Sequence, residues 1–231
     1  MEKLLLVLAL LTPGLAAQRP TTWRFDNLTT IGGNATTIVG APKVVDTDLG
    51  KAIQFAGDHD SGDALFLPTL PLTGALDYTF EVIFRPSAAG KPEQRFFHLQ
   101  EDGTQSRRMF EIRIHGDKWC IDTVAVSAVA GQPDSRAGIM LNCDADHLFP
   151  VDRWYAVATT YDGKMLRTYV NGILQGESAV ALRPLGKGGT SIGTRYTKRD
   201  FFTGDILSAR FSPRALQIDN LLKVPAKAAQ R

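Results

Sequence analysis

The sequence predicts an all-β fold in which two antiparallel sheets form a sandwich and one short helix follows the last strand. Two tight hairpins in succession, short alternating segments and the scarcity of helical periodicity support this class. Residues 154–172 contain the hairpins, because Asp162-Gly163 and Asn171-Gly172 are turn dipeptides between β-rich runs. Only residues 213–222 have a helix-like pattern.

The other strands are identified by alternation of apolar and polar residues. Residues 79–85 show it most clearly, with Phe80, Val82 and Phe84 on one face. Further strands are expected at residues 51–56, 64–67, 95–100 and 110–115, after a first strand at Trp23 and Phe25. Large apolar side chains should fill the space between the sheets, namely Trp154, Phe55, Phe80, Phe84, Phe211 and Val170.

The chain divides into one domain and two short ends. Residues 1–17 have a lysine, an apolar run and small residues at the end, which is the pattern of a signal peptide cut after Ala16 or Ala17. The alternative is a membrane anchor, but the run is about half of the roughly 20 residues that span a bilayer. Residues 18–222 form the expected domain, and residues 223–231 a loose tail. No other segment could cross a membrane, so the mature chain is expected to be secreted, periplasmic or attached to the cell surface.

Composition limits the classes of partner. The 231 residues are 44% hydrophobic and carry a formal net charge of +2. Acids and bases are interspersed, so the chain lacks the basic field that collects nucleic acid or an anionic membrane. The four histidines and two cysteines do not have the spacing of a closed zinc site. The charge distribution therefore excludes nucleic acid as an expected partner.

The two cysteines follow strand-like runs. Cys120 comes after residues 110–119, and Cys143 ends a run that starts at residue 137. If the two runs are neighbours in a sheet, a cross-strand disulfide is geometrically possible and would persist outside the cell. The alternative is two free, buried thiols. We favour the bond because an exported chain with two cysteines and no more usually pairs them.

Several segments, in the right order, resemble laminin G-like domains of the concanavalin A-like lectin/glucanase superfamily, which have a jelly-roll fold. The segments are FDNLTTIGG with GKAIQFAGDHD, LDYTFEVIFRP, PVDRWYAVATTYDGKMLRTYVNG, and SIGTRYTKRDFFTGDILSARFSPRALQIDNL. They cover about Trp23 to Leu222. The resemblance implies a jelly-roll sandwich that presents a broad face and rim loops to glycans or to other proteins, but fold does not fix function.

The resemblance favours recognition over catalysis. Glycosidases of this superfamily use paired carboxylates on one strand, as Glu-x-Asp-x-x-Glu, and the chain lacks that pattern. We therefore predict a secreted, non-catalytic domain that binds a polysaccharide or another glycan. The alternatives are a polysaccharide lyase or glycosidase on the same fold, and an adhesion domain that binds an extracellular protein.

A polar stripe is the first candidate binding surface. Glu111, Arg113 and His115 alternate with apolar residues, and Phe96, His98 and Gln100 should share a face of their own strand. If the strand ending in Arg85 adjoins these two, the stripe could bind an acidic sugar through arginine–carboxylate contacts. Aromatic side chains near the rim could add sugar contacts. The predicted ligand-binding residues are Arg85, His98, Glu111, Arg113, His115, Trp119 and Tyr196.

Calcium is the candidate cofactor, because related domains bind it between an early loop and an aspartate of the closing strand. The loop AGDHDSGD is dense in carboxylates, which hard cations prefer. The predicted ligands are Asp58, Asp60, Asp63 and Asp205. Asp205 precedes the isoleucine that the family's aspartate follows, so it is expected on the other face of its strand. Asp144 and Asp146 form a second acidic run that could serve instead.

Overall fold

A computed structural model describes residues 19–128, 135–140 and 143–224, with the backbone alone for 135–140. The predicted signal peptide (1–17) and all but the first two residues of the predicted tail (223–231) lie outside these ranges. The strands are β1 Thr21–Arg24, β2 Thr30–Ile31, β3 Asn34–Ala35, β4 Thr37–Val39, β5 Lys43–Thr47, β6 Gly50–Phe55, β7 Ala64–Leu67, β8 Tyr78–Pro86, β9 Glu93–Glu101, β10 Arg107–His115, β11 Lys118–Ser127, β12 Ser135–Met140, β13 Phe149–Pro150, β14 Tyr155–Tyr161, β15 Met165–Val170, β16 Ile173–Ala179, β17 Gly188–Ile192 and β18 Gly204–Ser212. No helix in these ranges is long and apolar enough to cross a membrane.

The strands form two antiparallel sheets, which confirms the predicted sandwich. The first sheet has the order β16-β15-β14-β8-β18-β6-β5, with β1 also paired to β18. The second sheet has the order β12-β11-β10-β9-β17-β7-β4, with β13 also paired to β11. Strands β2 and β3 form a separate hairpin. Many strands pair with partners distant in sequence, so the sheets bring residues from remote segments side by side.

Aromatic side chains fill the space between the sheets. Phe80 of the first sheet is fully buried, and its ring centroid lies 4.5 Å from that of Phe110 and 5.1 Å from that of Phe97, both on the second sheet. Phe84 stacks on Phe96 in the same way, at 4.4 Å. These contacts follow from alternation, because every second residue of each strand points inward.

The two predicted hairpins are confirmed. Strands β14 and β15 pair across the turn at Asp162-Gly163, where the Asp162 carboxylate accepts the N–H groups of Lys164 and Met165. Strands β15 and β16 pair across Asn171-Gly172. Both turn residues have positive φ, 49° and 78°, as a type I′ turn requires.

The outer face of the first sheet carries its own small apolar cluster, and Trp154 lies there. The expectation that Trp154 fills the space between the sheets is wrong, because Tyr155 and Val157 take the inward positions and alternation turns Trp154 outward. Leu222 and Val224 pack against this cluster. The C-terminal segment therefore covers part of the outer face.

That C-terminal segment is not the predicted helix over residues 213–222. It is extended apart from one turn of 3₁₀ helix at Ile218–Asn220. Its backbone is held by polar groups of β8: Thr79 accepts the N–H of Leu216, and the Glu81 carboxylate accepts the N–H of Leu222 at 2.6 Å. These contacts bind an extended chain to the sheet, and a regular helix could not make them at the same positions.

Cys120 and Cys143 form the predicted disulfide, with Cα atoms 5.6 Å apart. Cys120 lies on β11, and Cys143 lies in the segment between β12 and β13, both of which pair with β11. The two cysteines are 23 residues apart in sequence. Closing a loop of this length should stabilise the folded chain by about 3 kcal/mol in the chain-entropy model. The bond therefore anchors Cys143 to the outer face of the second sheet.

Candidate functional site

A charged basin of about 200 Å³ lies on the outer face of the second sheet. We define the basin by its lining residues, which come from β9, β10, β11 and the segment after β17: Arg95, Arg107, Met109, Glu111, Arg113, Asp122, Val124 and Arg195. Four guanidinium groups and two carboxyl groups thus surround a floor that includes Met109 and Val124.

Strand register explains why these residues meet. Glu111 on β10 lies directly opposite Arg95 on β9 and Asp122 on β11. Two residues along the β10–β11 ladder, Met109 lies opposite Val124. A β-bulge in β9 is needed for this arrangement, since Phe110 pairs with Phe97 and Glu111 pairs with Arg95. The extra residue, Phe96, packs into the core and leaves Arg95 and His98 on the outer face.

The charged groups of the basin form a network of ion pairs. Arg95 lies 3.1 Å from Glu111 and 2.5 Å from Asp200, nitrogen to oxygen. Arg113 lies 3.3 Å from Asp122 and 3.5 Å from Glu111 and also pairs with Glu93. All but Glu93 and Arg113 have side chains that are nearly buried. The network fixes the guanidinium planes of Arg95 and Arg113 in place.

Burial changes the acidity of the two carboxyl groups. It raises the pKa of Glu111, with a smaller contribution from neighbouring Asp122, while Arg95 and Arg113 oppose the shift. Burial likewise raises the pKa of Asp122, again against Arg113 and Arg95. Both carboxyl groups therefore release their protons at a higher pH than exposed carboxyl groups would.

Several buried polar atoms of the basin have no hydrogen-bond partner among the described residues, including Nε of Arg95, Nε of Arg195 and Oδ1 of Asp122. The Arg195 side chain, moreover, forms no ion pair with any described residue. Buried polar groups normally find partners, so these atoms show that the polar groups around the basin are incompletely satisfied.

His98 and Tyr196 form one border of the basin. His98 faces Met109 across the β9–β10 ladder, and its Nδ1 accepts the N–H of Tyr196 at 3.0 Å. Burial, helped by Arg107 and Arg195, lowers the pKa of His98 from 6.5 to about 3. The ring of Tyr196 lies against Gly189, where a Cβ would fall 2.4 Å from the tyrosine hydroxyl. His98 is thus a neutral acceptor that positions Tyr196.

As the pH is lowered through mild acid, we expect the free energy of unfolding to fall less in His98→Gln than in the wild type. The unfolded chain binds a proton at this histidine below about pH 6.5, whereas the folded chain excludes it down to about pH 3, so the histidine lowers stability as the pH falls through that window. Urea unfolding of variant and wild type at several pH values measures the difference. An unchanged pH profile in His98→Gln would contradict the prediction.

The opposite border is a contact between two rim loops. His59 Nδ1 lies 2.5 Å from Asp200 Oδ1, and Asp200 Oδ2 lies 2.5 Å from Arg95. Asp200 is buried and has a φ of 55°. The loop at residues 56–63 thus supports Arg95 through Asp200.

The structure brings together only part of the predicted polar stripe. Glu111 and Arg113 line the basin and His98 borders it. Phe96 does not share a face with His98, because of the bulge. His115 lies at the exposed end of β10, opposite Lys118.

Two predicted residues lie elsewhere. Strand β8 belongs to the first sheet, so the assumption that Arg85 adjoins β9 and β10 is wrong; Arg85 pairs with Asp205 at 2.7 Å and lies over Trp154. Trp119 is not at the rim. It is fully buried in the core, because it shares the inward face of β11 with Ile121.

The four predicted calcium ligands do not converge on one point. Both carboxylate oxygens of Asp63 accept backbone N–H groups, from Ala41 and Ala56. Asp58 pairs with Lys91, and Asp205 with Arg85 on the first sheet. This arrangement does not fit one calcium site. Calcium binding stays a prediction, to be tested by the melting temperature with and without a chelator.

Four charged residues of the basin were missed in the sequence, namely Arg95, Arg107, Asp122 and Arg195, as were the apolar Met109 and Val124. Asp122 could have been found, since it sits in a β-rich run after Cys120. Arg95 is moved to the outer face by the bulge, which alternation cannot reveal. Arg195 lies in the segment after β17, whose position depends on the tertiary fold.

Comparisons with known proteins support the fold. Domain 4 of AbnA, an extracellular arabinanase of Geobacillus stearothermophilus solved with arabinotriose, aligns with a TM-score of 0.60 and 16% identity over 88% of this chain and 96% of that domain. The binding domain of botulinum neurotoxin serotype D aligns at 0.58 and 11% identity over 86% of this chain. A botulinum neurotoxin DC binding domain, solved in complex with SialylT, aligns at 0.58 and 10% identity over 87% of this chain. This chain spans about half of the toxin chains, 48% and 49%.

A search of curated protein sequences found no match. The family model described as Laminin_G_3, concanavalin A-like lectin/glucanases superfamily, matches residues 59–220, which is more than half of the chain. The matched region contains β7 to β18 and every residue of the basin. The chain therefore belongs to the Laminin_G_3 family of the concanavalin A-like lectin/glucanase superfamily.

Proposed function

We propose that this domain binds an acidic glycan, a uronate-containing oligosaccharide, in the basin on the second sheet. The observation that carries the proposal is the lining of the basin, where four arginines meet two carboxyl groups and Arg195 has no ion-pair partner among the described residues. A sugar carboxylate can accept from the Arg195 guanidinium, and sugar hydroxyls can donate to Asp122 and accept from Arg95. The fold neighbour solved with arabinotriose supports a glycan as the class of ligand.

The charges of the basin favour an anionic sugar over a neutral one. Arg113 and Arg95 are matched by carboxyl groups, whereas Arg195 has no such partner among the described residues. Arginine also presents a planar pair of donors that fits a carboxylate.

Export belongs to the same proposal. The apolar run and small residues of positions 1–17 are the pattern of a secretory signal. The Cys120–Cys143 bond is of the kind that persists in oxidising compartments. We therefore propose that the domain meets its glycan outside the cytoplasm.

The test is calorimetric titration of the intact protein with oligogalacturonide, and with linear arabinan as the neutral probe. We expect binding of the uronate, weakened by added salt, and little binding of arabinan. Arg195→Ala should weaken uronate binding by about 10- to 100-fold, because a charge-assisted contact is worth about 1.5–3 kcal/mol. This substitution breaks no ion pair among the described residues, so folding should be preserved.

Arg199→Ala is the matched control. Arg199 is an exposed arginine of the same segment that lines no part of the basin, and it contacts His59 instead. Its removal should leave uronate affinity within about twofold of wild type. Equal losses in Arg195→Ala and Arg199→Ala would show that binding reflects general charge rather than the basin. Preference for arabinan would overturn the acidic class.

Hydrolysis is the second candidate function, because Glu111 and Asp122 are direct cross-strand partners in the same cavity. Glycosidases need two carboxyl groups on either side of the scissile bond, one of them with a raised pKa. Release of reducing ends from oligogalacturonide, lost in Glu111→Gln, would replace the binding proposal with an enzymatic one. A rise in absorbance from unsaturated sugars would instead indicate lyase chemistry.

A further inference from the structure

A group of soft metal ligands lies at the end of the β10–β11 hairpin, and the proposed glycan site does not use it. One ligand atom each of His115, Cys120 and Cys143 lies within 4.8 Å of the other two. No other group of three or more His, Cys, Asp or Glu side chains in the described ranges meets this condition. The group is therefore distinct from the predicted acidic calcium ligands, which do not lie close enough together to form such a group.

The backbone holds the three residues on one surface. Arg113 faces Cys120 and His115 faces Lys118 across the hairpin, so His115 and Cys120 are diagonal neighbours on the outer face. Cys143 is bonded to Cys120 at the same face, with Cα atoms of the two cysteines 5.6 Å apart. His115 is exposed and Cys143 is half-buried, so the group is open to solvent on one side.

We propose that, when the disulfide is reduced, His115, Cys120 and Cys143 bind one Zn²⁺ ion. The proposal does not depend on the function proposed for the basin. Two thiolates and one imidazole are a donor set that zinc prefers, and three protein ligands leave a fourth position for water. The hard oxygen ligands that calcium requires are absent from the group.

The redox step balances with a dithiol as reductant. The dithiol gives two electrons and two protons to the Cys120–Cys143 bond and becomes a disulfide itself, and the chain gains two thiols. Zinc binding then releases those two protons as the thiols become thiolates. The same thiols exist in a newly made chain before oxidation, so metal binding and disulfide formation compete for one pair of sulfur atoms.

The test uses the intact protein with Co²⁺ as a spectroscopic substitute for Zn²⁺. The protein is reduced with a dithiol, freed of excess reductant without oxygen, and titrated with Co²⁺. We expect one equivalent to bind with a thiolate-to-cobalt charge-transfer band and the visible bands of tetrahedral cobalt, and Zn²⁺ to displace it. The oxidised protein should show no such bands. Circular dichroism before and after reduction checks that the sheets persist.

Two histidine variants make the result specific. His115→Ala should weaken metal binding by about 10-fold or more, because loss of even an outer-shell partner of a ligand has effects of that size. His147→Ala removes a histidine four residues from Cys143 that pairs with Asp144, and should leave affinity unchanged. Loss in His147→Ala but not in His115→Ala would overturn the assignment.

Two further measurements keep the proposal testable if reduction loosens the fold. Equal Co²⁺ affinity of the reduced chain in water and in strong urea would mean that no folded site exists, which overturns the proposal. The double variant Cys120→Ser with Cys143→Ser shows whether the sheets form without the bond. If they do, and the reduced wild type still binds no cobalt, the proposal is wrong.

Discussion

Phe80→Ala should lower the free energy of unfolding by about 3–5 kcal/mol, which is the usual loss for a large aromatic side chain in a core. Phe80 has no exposed surface and touches rings of both sheets, with centroid distances of 4.5 Å to Phe110, 5.1 Å to Phe97 and 5.2 Å to Phe211. Its removal leaves a cavity at the centre of the sandwich, where the rigid sheets on either side cannot collapse to fill it.

Urea denaturation followed by tryptophan fluorescence measures this loss. Phe80→Leu keeps most of the apolar volume and should lose clearly less stability than Phe80→Ala. Leu76→Ala is the surface control, because Leu76 is 72% exposed, and it should change stability by no more than about 0.5 kcal/mol. Similar losses in Phe80→Ala and Leu76→Ala would contradict the position of Phe80 between the sheets.

Glu81→Ala should have the second largest effect, about 3 kcal/mol. Glu81 is fully buried and accepts two hydrogen bonds from Arg210, at 2.5 and 2.9 Å, and one from the N–H of Leu222. Removing one partner of a buried ion pair leaves the other charge uncompensated. Arg210 is 23% exposed, so water relieves part of this penalty, and the expected loss lies at the low end of the usual range.

Unfolding experiments and amide exchange test this prediction together. The N–H of Leu222 should lose protection in Glu81→Ala, because its acceptor is gone. Glu177→Ala is the matched control, since Glu177 pairs with Arg167 on the same sheet but is largely exposed, and such pairs contribute at most about 1 kcal/mol. Retained protection at Leu222 in Glu81→Ala would mean that another contact holds the C-terminal segment.

The fold could be predicted from sequence because its determinants are local. Alternation at residues 79–85 and the turn pairs at 162–163 and 171–172 define strands and reversals without knowledge of distant partners. The short helix was wrongly predicted at residues 213–222, because contacts with Thr79 and Glu81 overrode a weak local pattern. Tertiary contacts of this kind are invisible to periodicity.

The candidate site could be predicted only in part. Glu111 and Arg113 were found because they share the face of one strand. Which strands would adjoin them depended on sheet order, and β8 lies in the opposite sheet. Sequence also gave no sign of the bulge at Phe96, which turns Arg95 toward Glu111. The pairing of remote strands, rather than the pattern within any one of them, determines the composition of the basin.

Residues 214–224 bind to the first sheet, so the two outer faces of the sandwich differ. Leu222 and Val224 pack on the outer face of one sheet, whereas the basin opens on the outer face of the other. A tether joined after Val224 would therefore start on the side of the molecule opposite the basin. Beads or sensor chips coupled through that end should display the domain with its arginines directed to the solution.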